Sequence, residues 1–201
     1  MATAITFGQA PNSTFGQAPN SREQDQNPRS LRTRVAKARA ANTRAVDLGA
    51  SEGVPPIVMS LKEALHSYSL FVVVPVTEET VVENDRHILT WYKLRIIERL
   101  STAGPSPMAQ DLTDFPGDIL PKMQPAGTDE VLLLRNAGQV TIDGITFSER
   151  LVNFPPLNTG STYVCVLDVS KDGRVATAPL SGIGIYELTQ REMLKPLSRP
   201  V

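Results

Sequence analysis

The hydrophobic residues divide the chain into a polar head (residues 1–53), an apolar body (residues 54–192) and a short polar tail (residues 193–201). At the start of the body, hydrophobic residues recur at helical spacing behind the capping box Ser60-Leu61-Lys62-Glu63. This pattern predicts a two-turn helix over residues 61–68. From Leu70 onward, β-branched runs and alternating polar and apolar residues predict β-strands. We therefore expect the body to fold as one mainly β domain.

Two long strand patterns follow the predicted helix. The first runs through Leu70–Val76 and continues over Glu79–Glu83, with Pro75 at an edge or a bulge. The second, His87–Leu100, alternates strictly. Because Asn84 and Asp85 are typical turn residues, the two segments are predicted to form a long antiparallel hairpin.

Shorter strand patterns complete the body after a long loop. Residues 101–129 contain five prolines, which exclude regular strands over most of that stretch. The later strands are predicted over residues 130–134, 138–142, 145–151, 161–169, 174–178 and 183–188. Seven or eight short strands with one helix are typical of an antiparallel β-barrel or sandwich, and closure into a barrel would leave no exposed edges.

The head begins with a tandem repeat. The octapeptide TFGQAPNS occupies residues 6–13 and again residues 14–21. A unit of eight residues with one phenylalanine is too short to bury a face against its neighbour, as solenoid repeats do. We interpret this part of the head as disordered, and we expect the whole head, residues 1–53, to be a disordered low-complexity and basic tail outside the β domain.

The rest of the head is basic. Residues 22–44 contain seven arginine or lysine residues and only two acidic residues, Glu23 and Asp25. We interpret this segment as a flexible linker, because its few large apolar residues form a thin face and it has no aromatic residue for stacking. The alternative is a short helix that forms on contact with nucleic acid, using Arg32, Arg34, Lys37 and Arg39 on phosphates.

Composition excludes several classes of protein. The formal net charge is −1, and no apolar run approaches the roughly 20 residues of a membrane-spanning helix. Cys165, the only cysteine, cannot form an intramolecular disulfide and is expected to be a buried structural thiol. With two histidines and no H-E-x-x-H motif or glycine-rich phosphate loop, we expect no enzyme activity, no metal and no cofactor.

The first residues lack the charged, apolar and small-residue segments of an export signal. As written, the chain is expected to be cytoplasmic. A misassigned start site would make an exported protein the alternative.

Several marks of the body resemble a known fold. They are a helix ahead of the strand Leu70–Val76, the aromatic strand around Thr90-Trp91-Tyr92, and a late pattern made of Phe154-Pro155-Pro156-Leu157, Gly160, Tyr163-Val164, Asp172-Gly173 and Gly182-Ile183-Gly184-Ile185. Over residues 60–188 the chain resembles a group of uncharacterised bacterial proteins whose barrel is similar to the OB-like netrin-like and metalloproteinase-inhibitor domains. The resemblance implies an OB-like barrel. Because the netrin-like cysteines are missing, inhibition through a cysteine-anchored N-terminus is not implied.

These observations favour a non-enzymatic binding or scaffolding module whose partner is another protein. Trp91, Lys93 and Arg95 share one face of the long strand, and an exposed tryptophan beside cations suits a contact surface. The open alternative is that the helix or the long loop covers Trp91. A second hypothesis is an OB-like nucleic-acid-binding protein that combines this face with the basic segment.

Overall fold

The computed structural model describes residues 28–51, 61–107, 109–189 and 194–196. The tandem octapeptide, Ser60 of the capping box and most of the C-terminal tail lie outside these residues. The helices are α1 (Leu31–Ala40) and α2 (Leu61–Ser67), with short 3-10 helices at Leu112–Asp114 and Ser181–Gly184. The strands are β1 (Ala45–Ser51), β2 (Ser69–Glu83), β3 (His87–Ser101), β4 (Glu130–Arg135), β5 (Gly138–Ile142), β6 (Ile145–Leu151), β7 (Tyr163–Val169), β8 (Val175–Thr177), β9 (Ile185–Leu188) and β10 (Leu194–Pro196). The expected mainly β fold is confirmed.

The predicted long hairpin is present as β2 and β3. These strands pair along their whole length, from Leu70 opposite Ser101 to Glu83 opposite His87. Asn84 and Asp85 form the turn with φ values of 49° and 56°, a left-handed conformation that Asn and Asp tolerate better than most residues. The register shifts after Pro75, where the sequence predicts an edge or a bulge.

The described strands form two sheets, and their pairings are not all antiparallel as was expected. The larger sheet has the order β10-β9-β7-β2-β3-β4-β8, and β8 also pairs with β7. The smaller sheet has the order β1-β6-β5. Two pairings, β4 with β8 and β1 with β6, are parallel. Parallel neighbours need long connections, so local turn residues carry no signal for them.

The prediction of disorder through residue 53 is wrong for the described residues 28–51. Helix α1 buries Leu31, Val35 and Ala38 against a cluster that includes Ile88 and Phe147. The helix is capped by Ser30, whose hydroxyl accepts a hydrogen bond from the Thr33 N–H at 3.3 Å. The apolar face of α1 is thin, but the end of the β2–β3 hairpin covers it, and composition alone does not reveal that partner.

The same segment is tied to the hairpin turn by polar contacts. The Leu31 N–H donates to the Asp85 carbonyl at 2.8 Å, and the Ser30 hydroxyl donates to the Asp85 carboxylate. After α1, strand β1 pairs with β6. The basic stretch is therefore part of the folded structure from residue 28 to residue 51.

Strand β3 is buried on both of its faces in its first half, from Ile88 to Leu94. Tyr92 and Leu94 lie in the main core with β2, β4 and β7. Trp91 lies on the other face in a separate cluster with Leu112, Leu132 and Val175. The long loop, residues 102–129, supplies the cover on this second face.

Candidate functional site

The predicted contact face of β3 is covered. Trp91 is 0% exposed, and its Nε1–H donates to the Ile119 carbonyl at 2.8 Å. The Phe115 ring meets the indole edge-on, with 5.2 Å between ring centroids. The prediction of an exposed tryptophan is wrong, and the alternative of a covering loop is correct.

The two cations of that face also have different surroundings. The Lys93 Nζ lies 3.7 Å from a Glu130 carboxylate oxygen, and both side chains are mostly buried. Arg95 is exposed. Because the indole and Lys93 are engaged inside the protein, the face offers no stacking platform for a base or a sugar.

The four basic residues predicted on the head lie together on α1. Arg32, Lys37 and Arg39 are exposed and Arg34 is half-buried, while Leu31, Val35 and Ala38 face inward. An Arg39 Nη atom lies 3.2 Å from an Asp143 carboxylate oxygen, but both side chains are more than half exposed. Since such surface pairs contribute little, the outer face of α1 remains a cationic surface.

The described residues give little support for catalysis. Burial raises the pKa of the Cys165 thiol far above its ordinary value, so the thiolate that a nucleophile requires does not form. His66 is exposed and its Nδ1 lies 3.2 Å from the Lys62 carbonyl oxygen. Within the described ranges, no group of three His, Cys, Asp or Glu side chains is placed to hold a metal ion. The expectations of no enzyme activity and no metal stay predictions.

Residues 49–53 contain a motif that is also found in hydrolases. Gly49-Ala50-Ser51-Glu52-Gly53 has the G-x-S-x-G spacing of a hydrolase nucleophile. In hydrolases that serine lies on a sharp turn between a central strand and a helix. Here Ser51 belongs to β1, at the edge of the small sheet, and residues 52–60 lie outside the described ranges. The described context does not match that of a nucleophile.

A polar cleft between the two sheets is the strongest candidate for a site. Strand β4 alternates Val131, Leu133 and Arg135 on its inward face, so the chain carries a cation into a row of core positions. Arg135 is only 5% exposed. It lies directly opposite Thr90 in the β3–β4 register. The structure thus places a guanidinium at the polar end of the main core.

The hydrogen bonds of Arg135 are incomplete. Its Nε–H donates to the Phe154 carbonyl at 2.7 Å, and the two Nη groups have no acceptor among the described residues. Burial lowers the pKa of Arg135, while interactions with Tyr92 and Glu78 act in the opposite direction. An arginine remains charged in proteins, so the pocket contains a fixed positive charge with unused donors.

Arg135 belongs to the lining of a cleft of about 310 Å³. The large sheet contributes Glu78, Thr90 and Tyr92, and the small sheet contributes Gln139 and Ser148. We call this cleft, with Arg135, the Arg135 pocket. Its size lies at the lower end of the range for small-molecule sites.

The other charged residues that line the Arg135 pocket differ in their partners. A Glu149 carboxylate oxygen accepts from the Ile88 N–H at 3.1 Å, and an Arg150 Nη atom lies 2.7 Å from the Asp47 carboxylate. Glu78 has no hydrogen bond or ion pair with a described residue. The Arg135 pocket therefore combines a buried cation whose Nη groups are unpaired with an exposed carboxylate, Glu78, that has no partner among the described residues.

Tyr92 supplies a neutral hydroxyl to the same pocket. Its oxygen accepts a hydrogen bond from the Leu157 N–H at 3.3 Å. Burial raises the pKa of Tyr92, so the phenol keeps its proton at neutral pH. That proton is available for a ligand oxygen.

The sequence analysis missed this pocket. The signal was that Arg135 continues the alternation of Val131 and Leu133, which places a charged residue on the apolar face of the strand. A charged residue at this position is equally typical of the end of a strand that reaches solvent. Its burial depends on the small sheet and on Phe154, which periodicity does not locate.

Comparisons with known proteins give no further guide. No family model, curated protein or solved structure matched the chain. Among the described residues, none of the helices is long and apolar enough to cross a membrane.

Proposed function

We propose that the protein is a non-enzymatic binding module on an OB-like barrel, with the Arg135 pocket as its ligand site. The observation that carries this proposal is the buried guanidinium with both Nη groups unpaired among the described residues. Leaving a buried charge without hydrogen-bond partners costs several kcal/mol, and an anionic ligand group would recover part of that cost.

The strand pairings support the OB-like part of the proposal. They run in a circuit from β7 to β2, β3, β4 and β8 and back to β7. A five-stranded OB barrel would have this order of pairings, including the one parallel contact, which here joins β4 and β8. OB domains bind ligands on the face of their second and third strands, which correspond here to β3 and β4. The long loop covers that face at Trp91, which favours the Arg135 pocket as the binding site.

Replacing Arg135 with methionine tests the proposal. We expect the variant to lose acetate binding, followed by chemical-shift perturbation on the full-length protein, by about tenfold or more. We also expect the variant to stay folded, because removing a buried charge offsets the cost of leaving the Phe154 carbonyl without its donor. This combination separates a binding residue from a structural one.

Arg95→Met is the matched control, since Arg95 is an exposed cation of the same sheet outside the Arg135 pocket. It should bind acetate as the wild type does. Arg135→Lys keeps the charge and guards against a folding defect of the methionine variant. Equal acetate binding by the wild type and a folded Arg135→Met variant would exclude the pocket as the ligand site.

A second candidate function is nucleic-acid binding through α1. The observation that favours it is the ordered cationic face with Arg32, Lys37 and Arg39 exposed. Arg32→Glu combined with Lys37→Glu should weaken binding to a fluorescent single-stranded DNA by about tenfold or more, and the wild-type affinity should fall steeply with salt. Arg95→Glu is the control with one reversed charge elsewhere. Salt-independent binding, or binding unchanged in the double variant, would contradict this function.

The expectation of a protein partner remains a prediction. The four large hydrophobic residues that are most exposed among the described ones are Ile97, Leu100, Val152 and Leu194. They give no chemistry by which a protein partner could be identified.

A further inference from the structure

We infer that the ligand of the Arg135 pocket is a small zwitterion with one carboxylate and one ammonium group. This inference rests on the proposed function and narrows it to a chemical class. It follows from the two opposite charges that the pocket leaves unpaired among the described residues, Arg135 and Glu78.

The carboxylate end of the ligand is assigned by the donors of Arg135. Because Nε is engaged by the Phe154 carbonyl, the free edge of the guanidinium is the one formed by Nη1 and Nη2. That edge presents two parallel N–H groups, which match the two oxygens of a carboxylate. The Tyr92 hydroxyl, which keeps its proton, is a further donor in the same cleft.

The ammonium end is assigned by Glu78. Glu78 lies directly opposite Tyr92 in the β2–β3 register, and Arg135 lies opposite Thr90 in the β3–β4 register. Since Thr90 and Tyr92 are two positions apart on β3, both side chains are on one face of the sheet. The exposed carboxylate of Glu78 and the buried guanidinium of Arg135 therefore line the same cleft, and the charge of Glu78 acts on Arg135 without a direct ion pair.

The charge balance argues against a dianion such as phosphate. The cleft is lined by Glu78 and Glu149 as well as by Arg135 and Arg150. Arg150 is exposed and its contact with Asp47 is a surface pair, so the lining carries two cations and two carboxylates. A dianion would add two negative charges to a lining whose charges already balance, whereas a zwitterion adds no net charge.

A series of linear amino acids tests the inference on the full-length protein. The probes are glycine, β-alanine and γ-aminobutyrate, compared by calorimetry with acetate, ethylammonium and inorganic phosphate. We expect the best amino acid to bind about tenfold more tightly than acetate, and phosphate to bind more weakly than that amino acid. The series varies the separation of the two charges, so the preferred member reports the span from Arg135 to Glu78.

The variants separate the two ends of the ligand. Glu78→Gln should reduce binding of the best amino acid to the level of acetate and leave acetate binding unchanged or tighter. Glu98→Gln, an exposed glutamate on β3 outside the pocket, should change neither.

The outcomes distinguish this inference from the proposed function. Arg135-dependent binding of acetate that equals every amino acid, or tighter binding of phosphate, would overturn the zwitterion and leave the ligand site standing. Amino-acid binding that survives Glu78→Gln would do the same. No binding of any probe at about 50 mM would overturn both.

Discussion

Replacing Trp91 with alanine is expected to lower the free energy of unfolding by about 3–5 kcal/mol, which is the usual cost of truncating a buried tryptophan. The indole is fully buried between β3 and the long loop, in contact with the Phe115 ring and hydrogen-bonded to the Ile119 carbonyl. Its removal leaves a cavity and an unpaired carbonyl, and it frees the loop from its anchor. Urea unfolding followed by circular dichroism measures the change without depending on tryptophan fluorescence.

Two variants make this result specific. Trp91→Phe keeps much of the apolar volume but loses the Nε1–H donor, so it should cost less than the alanine variant. Arg95→Ala changes an exposed side chain on the same strand face and should shift stability by less than about 0.5 kcal/mol. A loss below about 1 kcal/mol for Trp91→Ala would show that the loop does not hold the indole as described.

The elements that sequence patterns predicted are those whose signals are local. The hairpin of β2 and β3 follows from alternation on both sides of Asn84 and Asp85. The β5–β6 hairpin likewise follows from Asp143-Gly144, whose φ values of 50° and 78° suit these two residues. In both hairpins the turn residues and the strand pattern lie within one short window.

The features that sequence patterns missed depend on contacts across the fold. Alternation showed that Trp91 and Tyr92 lie on opposite faces of β3, but not that the Pro-rich loop covers the outer one. Helix α1 is stabilised by packing against Ile88 and Phe147, which are far from it in the sequence. The parallel pairing of β1 with β6 leaves no mark in composition or periodicity.

The Arg135 pocket also depends on contacts between residues that are far apart in the sequence. The predicted strand ended at Leu134, one residue before Arg135, and the burial of Arg135 and its unpaired Nη groups depend on the small sheet and the Phe154 segment. The burial of a polar side chain such as that of Arg135 can therefore be predicted only when the pairing and register of the strands are known. The same dependence makes the pocket sensitive to the backbone around Phe154.

Gly182→Ala should destabilise the protein by about 3 kcal/mol, since filling a tightly packed contact forces the backbone to shift. The Gly182 N–H donates to the Asn153 carbonyl at 2.5 Å, and a Cβ at this position would lie 2.1 Å from that oxygen. A side chain here meets backbone rather than a flexible side chain, so the segment from Asn153 to Phe154 must move. The smaller entropic gain of replacing glycine with alanine, about 0.4–1 kcal/mol, does not offset this clash.

The displaced segment also carries the Phe154 carbonyl, which accepts the Arg135 Nε–H, so the variant should weaken ligand binding together with stability. Gly104→Ala is the matched control, because a Cβ there meets nothing within 4 Å and should change stability by less than about 0.5 kcal/mol. Thermal and urea unfolding of both variants, with acetate titrations of each, measure the two effects. If Gly182→Ala were as stable as Gly104→Ala, the close approach of the two segments would be wrong, and with it the support that positions Arg135.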